Sequence, residues 1–300
     1  NVARALEARP RCETAWLRLE RLMMQTKDIT RTLQKCGGDM PLDEVELFEI
    51  KRLLIQLTEL APLFDLINRE AGGLTGIAFP PTLPALELLD PEGNRVATFH
   101  ISGRYSAELA WLRREKRAAE DALRGLDDKS SQAQAFHAQR QSLAAREAQA
   151  EQAVRAMLTA KLGDWHDAML ACCTALGRLD IILQKAKLAI AYNACRPTLS
   201  ADYIELTNMV NPWLADALSR QGKAFTPVTL RLDNGVTVIT GANMGGKSVA
   251  LKTTALNVLA VSCGFFAFAS EAKVCLLDGL KLLSEDLEDS GRGLSSFGGE

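Results

Sequence analysis

Apolar residues recur at helical spacing at the beginning of the chain. The pattern predicts a helix over residues 13–35. Gly37 and Gly38 predict its end, because glycine readily adopts the left-handed backbone of a C-terminal cap. Pro41 and Asp43 then predict the start of a second helix. Its apolar stripe is formed by Leu47, Ile50, Leu54, Leu57 and Leu60.

Two short extended runs follow a connection rich in glycine and proline. The runs are Leu86–Leu89 and Val96–Ile101, and the turn-forming segment Asp90-Pro91-Glu92-Gly93-Asn94 lies between them. Apolar runs on either side of such a turn are typical of a β-hairpin. The sequence therefore predicts a first domain, residues 1–104, that is a helical core with a β-hairpin near residues 85–102.

The next stretch is rich in alanine, arginine, glutamate and glutamine, and its pattern is helical from Tyr105 to Cys195. Gly125–Ser131 is the best break, so we expect two long helices folded back on each other over residues 105–197. The charged faces around Arg113–Arg117 and Arg140–Glu151 are expected to be solvated. A row of apolar residues is spaced alternately four and three positions apart: Cys172, Leu176, Leu179, Leu183, Ala186 and Ile190. This seam is typical either of the packing edge of a coiled coil or of ordinary core packing.

The character of the chain changes after Arg196-Pro197, since a helix ends near proline. The pattern that follows predicts strands at residues 228–232, 236–239 and 274–277, and a helix at residues 247–261. Asp233-Asn234-Gly235 is a turn signal between the first two strands. Strand, loop, helix and strand in this order are typical of an α/β nucleotide-binding domain, which we place at residues 198–300.

Residues 241–248, Gly-Ala-Asn-Met-Gly-Gly-Lys-Ser, match the pattern of a phosphate-binding loop in full. Glycines at 241, 245 and 246 let backbone N–H groups approach an oxyanion closely. Lys247 supplies a positive charge for the β- and γ-phosphates, and Ser248 supplies a hydroxyl ligand for Mg²⁺. The loop therefore predicts ATP and Mg²⁺ as cofactors. The alternative is a glycine loop with a purely structural role.

Asp278 follows the apolar run Val274-Cys275-Leu276-Leu277 and imitates the second magnesium-binding motif of phosphate-loop enzymes. Gly279 follows it where that motif has glutamate. The end of a buried strand explains the same pattern. No general base can be assigned from it.

Composition indicates the class of protein and its cellular compartment. The chain has 300 residues, 47% of them hydrophobic, and a net charge of −2, so it is globular and offers no whole-chain basic surface for nucleic acid. Seven scattered cysteines without a C-x-x-C pair favour neither zinc nor disulfides and fit a reducing compartment. No long uncharged apolar run is present, so we expect a cytoplasmic protein without a membrane span. Its first and last residues, Asn1 and Glu300, lead us to expect a piece of a longer protein.

The full loop, Ile239-Thr240-Gly241-Ala242-Asn243-Met244-Gly245-Gly246-Lys247-Ser248, closely resembles that of the MutS family of DNA mismatch repair ATPases. The loop of that family has the form T-G-P-N-M-G-G-K-S/T, and Ala242 stands at its proline. Residues 249–253 look most like the shorter MutS-related branch, which lacks the mismatch-reading domain. The resemblance implies that ATP is bound by Gly241, Ala242, Asn243, Met244, Gly245, Gly246, Lys247, Ser248 and Val249, with Ser248 also binding Mg²⁺.

The resemblance implies roles for residues outside the loop as well. Phe225 stands where the family places an aromatic side chain that stacks on adenine, although core packing explains this residue equally well. Ser295, Ser296 and Phe297 are similar to the family's signature segment, which faces the nucleotide of the partner subunit. Residues 28–31 and 179–180 look like landmarks of its lever helices, and residues 196–198 like the start of its ATPase domain.

Two features depart from the family. Asn211-Pro212 stands where the family has His-Pro, and the strand-rich DNA clamp is not evident in the helical pattern of residues 105–195. The acidic metal motif and glutamate base of the family are expected after the signature, where this chain ends.

The resemblance implies an α+β multidomain fold. In it, a long-helix lever or coiled-coil region precedes the N-terminal half of an α/β P-loop ATPase domain of ABC type, which ends after the signature. It implies a Mg²⁺-dependent ATPase that acts on DNA in mismatch repair or recombination, transmits its nucleotide state through lever helices, and forms a homodimer through the ATPase domain. The alternative is a nucleotide-gated dimerising scaffold that binds ATP without hydrolysing it. A third hypothesis, a coiled-coil ABC-type ATPase of chromosome maintenance, is disfavoured by the Asn-Met-Gly-Gly loop and the short helical arm.

Overall fold

The computed structural model describes residues 1–124, 130–243 and 245–283. These residues are mostly helical, with one small mixed sheet. The α-helices are α1 (Val2–Ala8), α2 (Glu13–Met24), α3 (Thr30–Leu33), α4 (Glu44–Glu70), α5 (Leu83–Leu89), α6 (Ala107–Leu123), α7 (Ser131–Leu162), α8 (His166–Ala191), α9 (Pro212–Arg220) and α10 (Lys247–Ser262). The strands are β1 (Thr198–Leu199), β2 (Ile204–Met209), β3 (Val228–Leu232) and β4 (Glu271–Val274).

The chain forms two compact units. One unit comprises Ala8–Asp180, and the other comprises Asn1–Glu7 together with Ile181–Glu300. Helix α8 therefore contributes residues to both units. The division into three domains at residues 104 and 197 stays a prediction. No helix in the described parts of the chain has both the length and the apolar character needed to cross a membrane.

Helix α4 begins where the sequence predicts. The Asp43 carboxylate accepts a hydrogen bond from the Glu46 N–H at 2.8 Å, and the Glu46 carboxylate accepts one from the Asp43 N–H at 3.0 Å. This reciprocal pair satisfies two backbone donors that a helix start otherwise leaves without partners. The predicted apolar stripe is buried along the helix: Leu47, Ile50, Leu54, Leu57 and Leu60.

The single helix predicted over residues 13–35 is wrong, because α2 ends at Met24 and α3 begins only at Thr30. Asp28 explains the interruption. Its Oδ1 accepts hydrogen bonds from both the N–H and the Oγ1 of Thr30, at 2.9 and 2.6 Å. A short polar side chain that binds nearby backbone competes with helix hydrogen bonding.

The β-hairpin predicted near residues 85–102 is also wrong. Its first run lies in α5, and its second, residues 96–101, belongs to no strand. Ala85, Leu86 and Leu89 are buried on one face of α5, which requires helical rather than alternating spacing. The turn between the runs is held by Asp90, which pairs with Lys51 at 3.0 Å and accepts from the Arg95 N–H at 2.7 Å.

The long helices after Tyr105 fold back as predicted, since α6 packs against α7. Most of the predicted break, residues 125–129, lies outside the described residues. A further interruption, a 3-10 turn at Gly163–Trp165, separates α7 from α8. Sequence patterns did not predict it.

The expectation that the charged faces of these helices are solvated is wrong at one place. Arg113 donates to Glu147 at 3.0 Å and to Glu151 at 2.7 Å, and Lys116 also pairs with Glu147. Glu147 is buried. These ion pairs link α6 to α7, so the charges hold the helical hairpin together.

The predicted seam is confirmed along α8 except at its end. Cys172, Leu176, Leu179, Leu183 and Ala186 are buried, whereas Ile190 is 47% exposed. Ala189 is buried in its place. A straight helix has 3.6 residues per turn, so a strict 3.5-residue repeat drifts off the buried face.

The sheet lies in the unit that contains Ile181–Glu300, and its strands have the order β1-β4-β2-β3. Strand β2 is antiparallel to both β3 and β4, and β1 is parallel to β4. The alternation predicted at residues 228–232 is confirmed as β3. Helix α10 packs on this sheet around a core that includes Leu206, Met209, Val258, Val261, Ala272 and Val274.

The strand predicted to lead into the glycine loop is not formed. Residues 236–240 belong to no strand, and the side chains of Val236 and Val238 are 94% and 76% exposed. The predicted strand at 274–277 is wrong beyond Val274, where β4 ends. A strand needs a partner, and among the described residues the pairing of β4 ends where Val274 lies opposite Leu199.

Candidate phosphate-binding site

The glycine loop leads directly into the N-terminus of α10. Gly246 precedes the helix with φ of +85°, a left-handed conformation that favours glycine. Helices α4, α6, α7 and α9 begin with a side chain that accepts a backbone hydrogen bond, from Asp43, Ser106, Ser130 and Asn211. Within the described residues α10 has no such cap, and neither do α2, α3 and α5. The first N–H groups of α10 therefore remain available as donors to an anion.

Gly245 is required for a different reason. Its N–H donates to the Ala242 carbonyl at 3.1 Å, which closes a tight turn. A Cβ atom at this position would lie 2.9 Å from the same carbonyl oxygen, a distance that real Cβ atoms essentially never show. At Gly241 a Cβ would meet only side-chain carbons of Lys247 at 3.9 Å. The turn thus excludes a side chain at Gly245 by contact and disfavours one at Gly246 by backbone conformation.

The Lys247 side chain lies against the loop that precedes it. Its Nζ donates to the carbonyl oxygens of Gly241 at 2.8 Å and Ala242 at 2.7 Å. These two bonds hold the ammonium group within the turn, beside the start of α10. The positive charge of the side chain and the positive end of the helix dipole therefore act in the same place.

The structure gives the positions of the other predicted site residues, whose roles stay predictions. Asn243 and Ser248 are exposed on the loop and the first helical turn, and Val249 is partly buried. Phe225 is partly buried in the segment before β3, and its role stays a prediction. Met244, Ser295, Ser296 and Phe297 lie outside the described residues. Asp278 is exposed and lies beyond the end of β4, so it does not occupy the end of a strand.

Polar side chains on the buried face of α10 position the helix, and sequence patterns did not single them out. Asn257 is fully buried and donates to the carbonyl oxygens of Thr253 at 2.9 Å and Val210 at 3.4 Å. Thr254 donates to the Met209 sulfur at 3.5 Å. The only signal in the sequence is their helical spacing with Val258 and Val261.

The residues of the loop fit a phosphate group. An oxyanion needs hydrogen-bond donors. Here they are the backbone N–H groups of the two glycine turns, those at the uncapped start of α10, and the Lys247 ammonium. For Mg²⁺ the fit rests on the exposed Ser248 hydroxyl alone. The described residues contain no group of three or more histidine, cysteine, aspartate or glutamate side chains that could hold a metal ion.

Comparison with known proteins gives one consistent result. The chain is 32% identical over 159 residues to the DNA mismatch repair protein MutS of Erythrobacter litoralis, which is 52% of this chain and 18% of that protein. It is 31% identical over 169 residues to MutS of Caulobacter vibrioides, covering 52% of this chain and 19% of that protein. With MutS of Dehalococcoides mccartyi it shares 30% identity over 139 residues, or 46% and 16% of the two chains. No protein-family model matches the chain. The matched part thus spans less than a fifth of these curated relatives.

Proposed function

We propose that residues 241–248 bind the phosphates of ATP, because their sequence resembles the MutS loop and about half of this chain is similar to curated MutS proteins. The intact protein would then be a Mg²⁺-dependent ATPase acting on DNA in mismatch repair or recombination. Its fold would be a lever of long helices followed by an ABC-type P-loop ATPase domain.

The observation that carries the proposal is the geometry at the start of α10. The loop combines an uncapped helix N-terminus with an ammonium group held by two loop carbonyls. The bonds from the Lys247 ammonium to the loop carbonyls have neutral acceptors, whereas a phosphate oxygen carries a negative charge and adds direct attraction between opposite charges. A triphosphate therefore offers Lys247 stronger acceptors than the loop does. The two carbonyl bonds also suit a purely structural loop, and nucleotide titration of Lys247→Ala separates the two interpretations.

Each residue of the loop has a defined task in this proposal. Backbone N–H groups around Gly245 and Gly246 bind phosphate oxygens, and Lys247 neutralises charge on the β- and γ-phosphates. The Ser248 hydroxyl is the ligand for Mg²⁺, which when bound neutralises developing charge during transfer to water. Asn243 and Val249 flank the bound phosphates. Hydrolysis itself rests on the resemblance, because no described residue is assigned as the general base.

Other parts of the proposal rest on the relatives. They are named DNA mismatch repair proteins, which supports DNA as the macromolecular partner. A homodimer would bring the signature residues Ser295, Ser296 and Phe297 of one copy to the nucleotide of the other. Phe225 would stack on adenine, and the protein would work in the cytoplasm.

A second candidate is the nucleotide-gated scaffold, which binds ATP and dimerises without hydrolysis. It rests on the same phosphate loop, and no described residue is assigned as the general base for hydrolysis. Release of inorganic phosphate from bound ATP separates the two hypotheses. Stoichiometric binding without release supports the scaffold.

Calorimetric titration of the chain with Mg²⁺ and a slowly hydrolysed ATP analogue tests phosphate binding. Lys247→Ala removes charge-assisted bonds worth about 1.5–3 kcal/mol, so affinity should fall by about 10- to 100-fold. Lys223→Ala, at an exposed lysine of the same unit, is the matched control and should leave affinity unchanged. Unchanged affinity in Lys247→Ala would rule out the assignment of the loop.

A further inference from the structure

The turn after β3 contains the only place in the chain where asparagine directly precedes glycine, at Asn234 and Gly235. Both residues are exposed. Gly235 has φ of +112°, and a Cβ added to it would have no atom within 4 Å apart from its neighbours in the chain. Residues 236–240, which follow, belong to no strand. The described residues therefore leave this turn open to water.

The N–H group of Gly235 differs from those that follow Asn94 and Asn193, which are also exposed. The N–H after Asn94 donates to the Asp90 carboxylate at 2.7 Å, and the N–H after Asn193 donates to the Ala189 carbonyl at 2.8 Å. Within the part of the chain that the structure describes, the Gly235 N–H donates to no acceptor. Exposure alone thus does not distinguish these three asparagines, whereas the hydrogen bonding of the next N–H does.

A backbone nitrogen without an acceptor, next to an asparagine side chain, permits a reaction within the chain. The Gly235 nitrogen loses its proton to solvent and attacks the side-chain carbonyl carbon of Asn234. A carbon–nitrogen bond forms, the side-chain carbon–nitrogen bond breaks, and the amide nitrogen takes up a proton from water and leaves as ammonia. Water then opens the resulting cyclic imide at either carbonyl, which gives aspartate or isoaspartate.

Glycine after the asparagine favours this reaction for two reasons. It has no side chain that hinders the approach to its nitrogen, and its backbone adopts conformations that other residues rarely reach. Attacking and attacked groups in adjacent residues also react without the entropic cost of bringing two molecules together. A hydrogen bond on the nitrogen opposes the reaction, because the bond must break before the nitrogen can turn toward the side chain.

We propose that Asn234 is a site of spontaneous deamidation in the folded protein, and that hydrogen bonds on the following N–H groups protect Asn94 and Asn193. Water is the only co-reactant. The product places a second carboxylate beside Asp233, whose Oδ1 already accepts from Arg231 at 2.9 Å. In the isoaspartate form the backbone runs through the former side chain and is longer by a methylene group. The modification therefore changes the charge and the length of the segment between β3 and the phosphate loop, and it does not depend on the proposed function.

Incubation of the whole chain at neutral and at mildly alkaline pH, followed by mass spectrometry of its peptides, tests the site. Asn234 should gain the mass that replaces an amide NH₂ by OH, as a mixture of aspartate and isoaspartate. The rate should rise with hydroxide concentration, since the attacking nitrogen must lose its proton. Asn94 and Asn193 should stay asparagine over the same period. An intact Asn234 overturns the site, and equal rates at the three asparagines overturn the protection by hydrogen bonds.

Two variants and an unfolded chain separate the chemistry from the fold. Gly235→Ala should slow the reaction at Asn234 by about tenfold, the change that about 1.4 kcal/mol of added hindrance produces. Gly177→Ala, at a glycine of the other unit with open space around it, is the matched control and should react as the wild type does.

Unfolding in guanidinium removes the hydrogen bonds after Asn94 and Asn193, so both should lose their amides faster than in the folded chain. Asn234 already reacts in the folded chain and should change little. The proposal is overturned if Asn234 reacts only in guanidinium, because the fold would then protect it. It is equally overturned if Gly235→Ala reacts as fast as the wild type, because the Gly235 nitrogen would then not be the attacking group.

Discussion

Gly163 packs its backbone directly against that of Gly37. A Cβ atom on Gly163 would lie only 2.8 Å from the Gly37 Cα. The Gly37 N–H also donates to the Thr159 carbonyl at 2.9 Å, in the last turns of α7. The turn between α7 and α8 can therefore approach the end of α3 only because both residues lack side chains.

Gly163→Ala should lower the free energy of unfolding by about 1–3 kcal/mol, because the backbone of Gly37 cannot give way as a side chain could. Gly177→Ala is the matched control. Gly177 lies inside α8 with open space around its Cα, so alanine there should stabilise by about 0.5–1 kcal/mol. Urea denaturation measures both. Changes of the same sign in the two variants would contradict the proposed contact.

Gly246→Ala should weaken nucleotide binding by about tenfold or more, since an L-residue in a left-handed conformation costs about 1–2 kcal/mol and the loop would shift to relieve it. The positive φ of +85° is the reason. Gly279→Ala, at an exposed glycine with open space around it, should bind as the wild type does. Calorimetric titration distinguishes them. Equal affinities would show that the loop does not need its left-handed turn.

Glu147 should make stability depend on pH in the acid range. Burial of its carboxyl opposes ionisation, but hydrogen bonds from Lys116 and Arg113 outweigh that effect, so its pKa lies below the ordinary value of 4.5. A depressed folded-state pKa means that the unfolded chain takes up the proton first as pH falls. The stability that this carboxylate contributes is therefore complete above its ordinary pKa and is lost as pH falls through the folded one.

The thermal midpoint of the wild-type chain should consequently fall more than that of Glu147→Gln between about pH 6 and about pH 3.5. Circular dichroism at a series of pH values measures the difference. Glu108→Gln, at an exposed carboxylate of α6, serves as the control and should follow the wild type. Parallel curves for Glu147→Gln and the wild type would mean that the ion pairs contribute nothing measurable.

Lys51 and Asp90 form a buried ion pair, with side chains 8% and 6% exposed. Lys51→Met leaves the Asp90 charge without its cation, and breaking such a pair costs about 3–5 kcal/mol. The double variant Lys51→Met/Asp90→Asn removes both charges and should regain at least about half of that loss. Urea denaturation measures the free energy of unfolding of the single and the double variant and shows which is more stable. A double variant less stable than Lys51→Met would show that burial of an unpaired charge is not the main cost.

DNA as the partner predicts a steep salt dependence. Lysine and arginine contacts to phosphates release counterions, so the affinity of the intact protein for duplex DNA should fall by about a thousandfold between about 50 mM and about 200 mM salt. Fluorescence anisotropy with a labelled duplex measures the slope. A flat response would argue against a phosphate-contacting DNA site.

Local patterns predicted the elements whose stabilising groups are close together in the chain. Asp43 and Glu46 cap α4 across three residues, and the apolar stripe behind them repeats within the same helix. Gly246 and Lys247 likewise stand side by side at the start of α10. In each case the stabilising groups lie within one or two turns of each other, so the residue order was enough to predict where the helix begins.

Two of the wrong predictions have a different cause, which lies in contacts between distant parts of the chain. Leu86–Leu89 could be extended or helical, and burial beside α4 selected the helix, while Lys51 fixed the turn after it from 39 positions away. Residues 236–239 have the composition of a strand, but a strand is stable only beside a partner. Among the described residues no strand pairs with them. The interruption at Asp28 was a local signal that the apolar periodicity obscured.

The sequence by itself determined the glycine loop, the helix that follows it, the long helical hairpin and the MutS resemblance, which the relatives support. Only the tertiary structure decided which charges are buried and where Gly163 meets Gly37. Helical hydrogen bonds and caps join residues that are neighbours in the chain. Buried ion pairs, strand partners and contacts between helices join residues far apart in it, and folding alone brings those together.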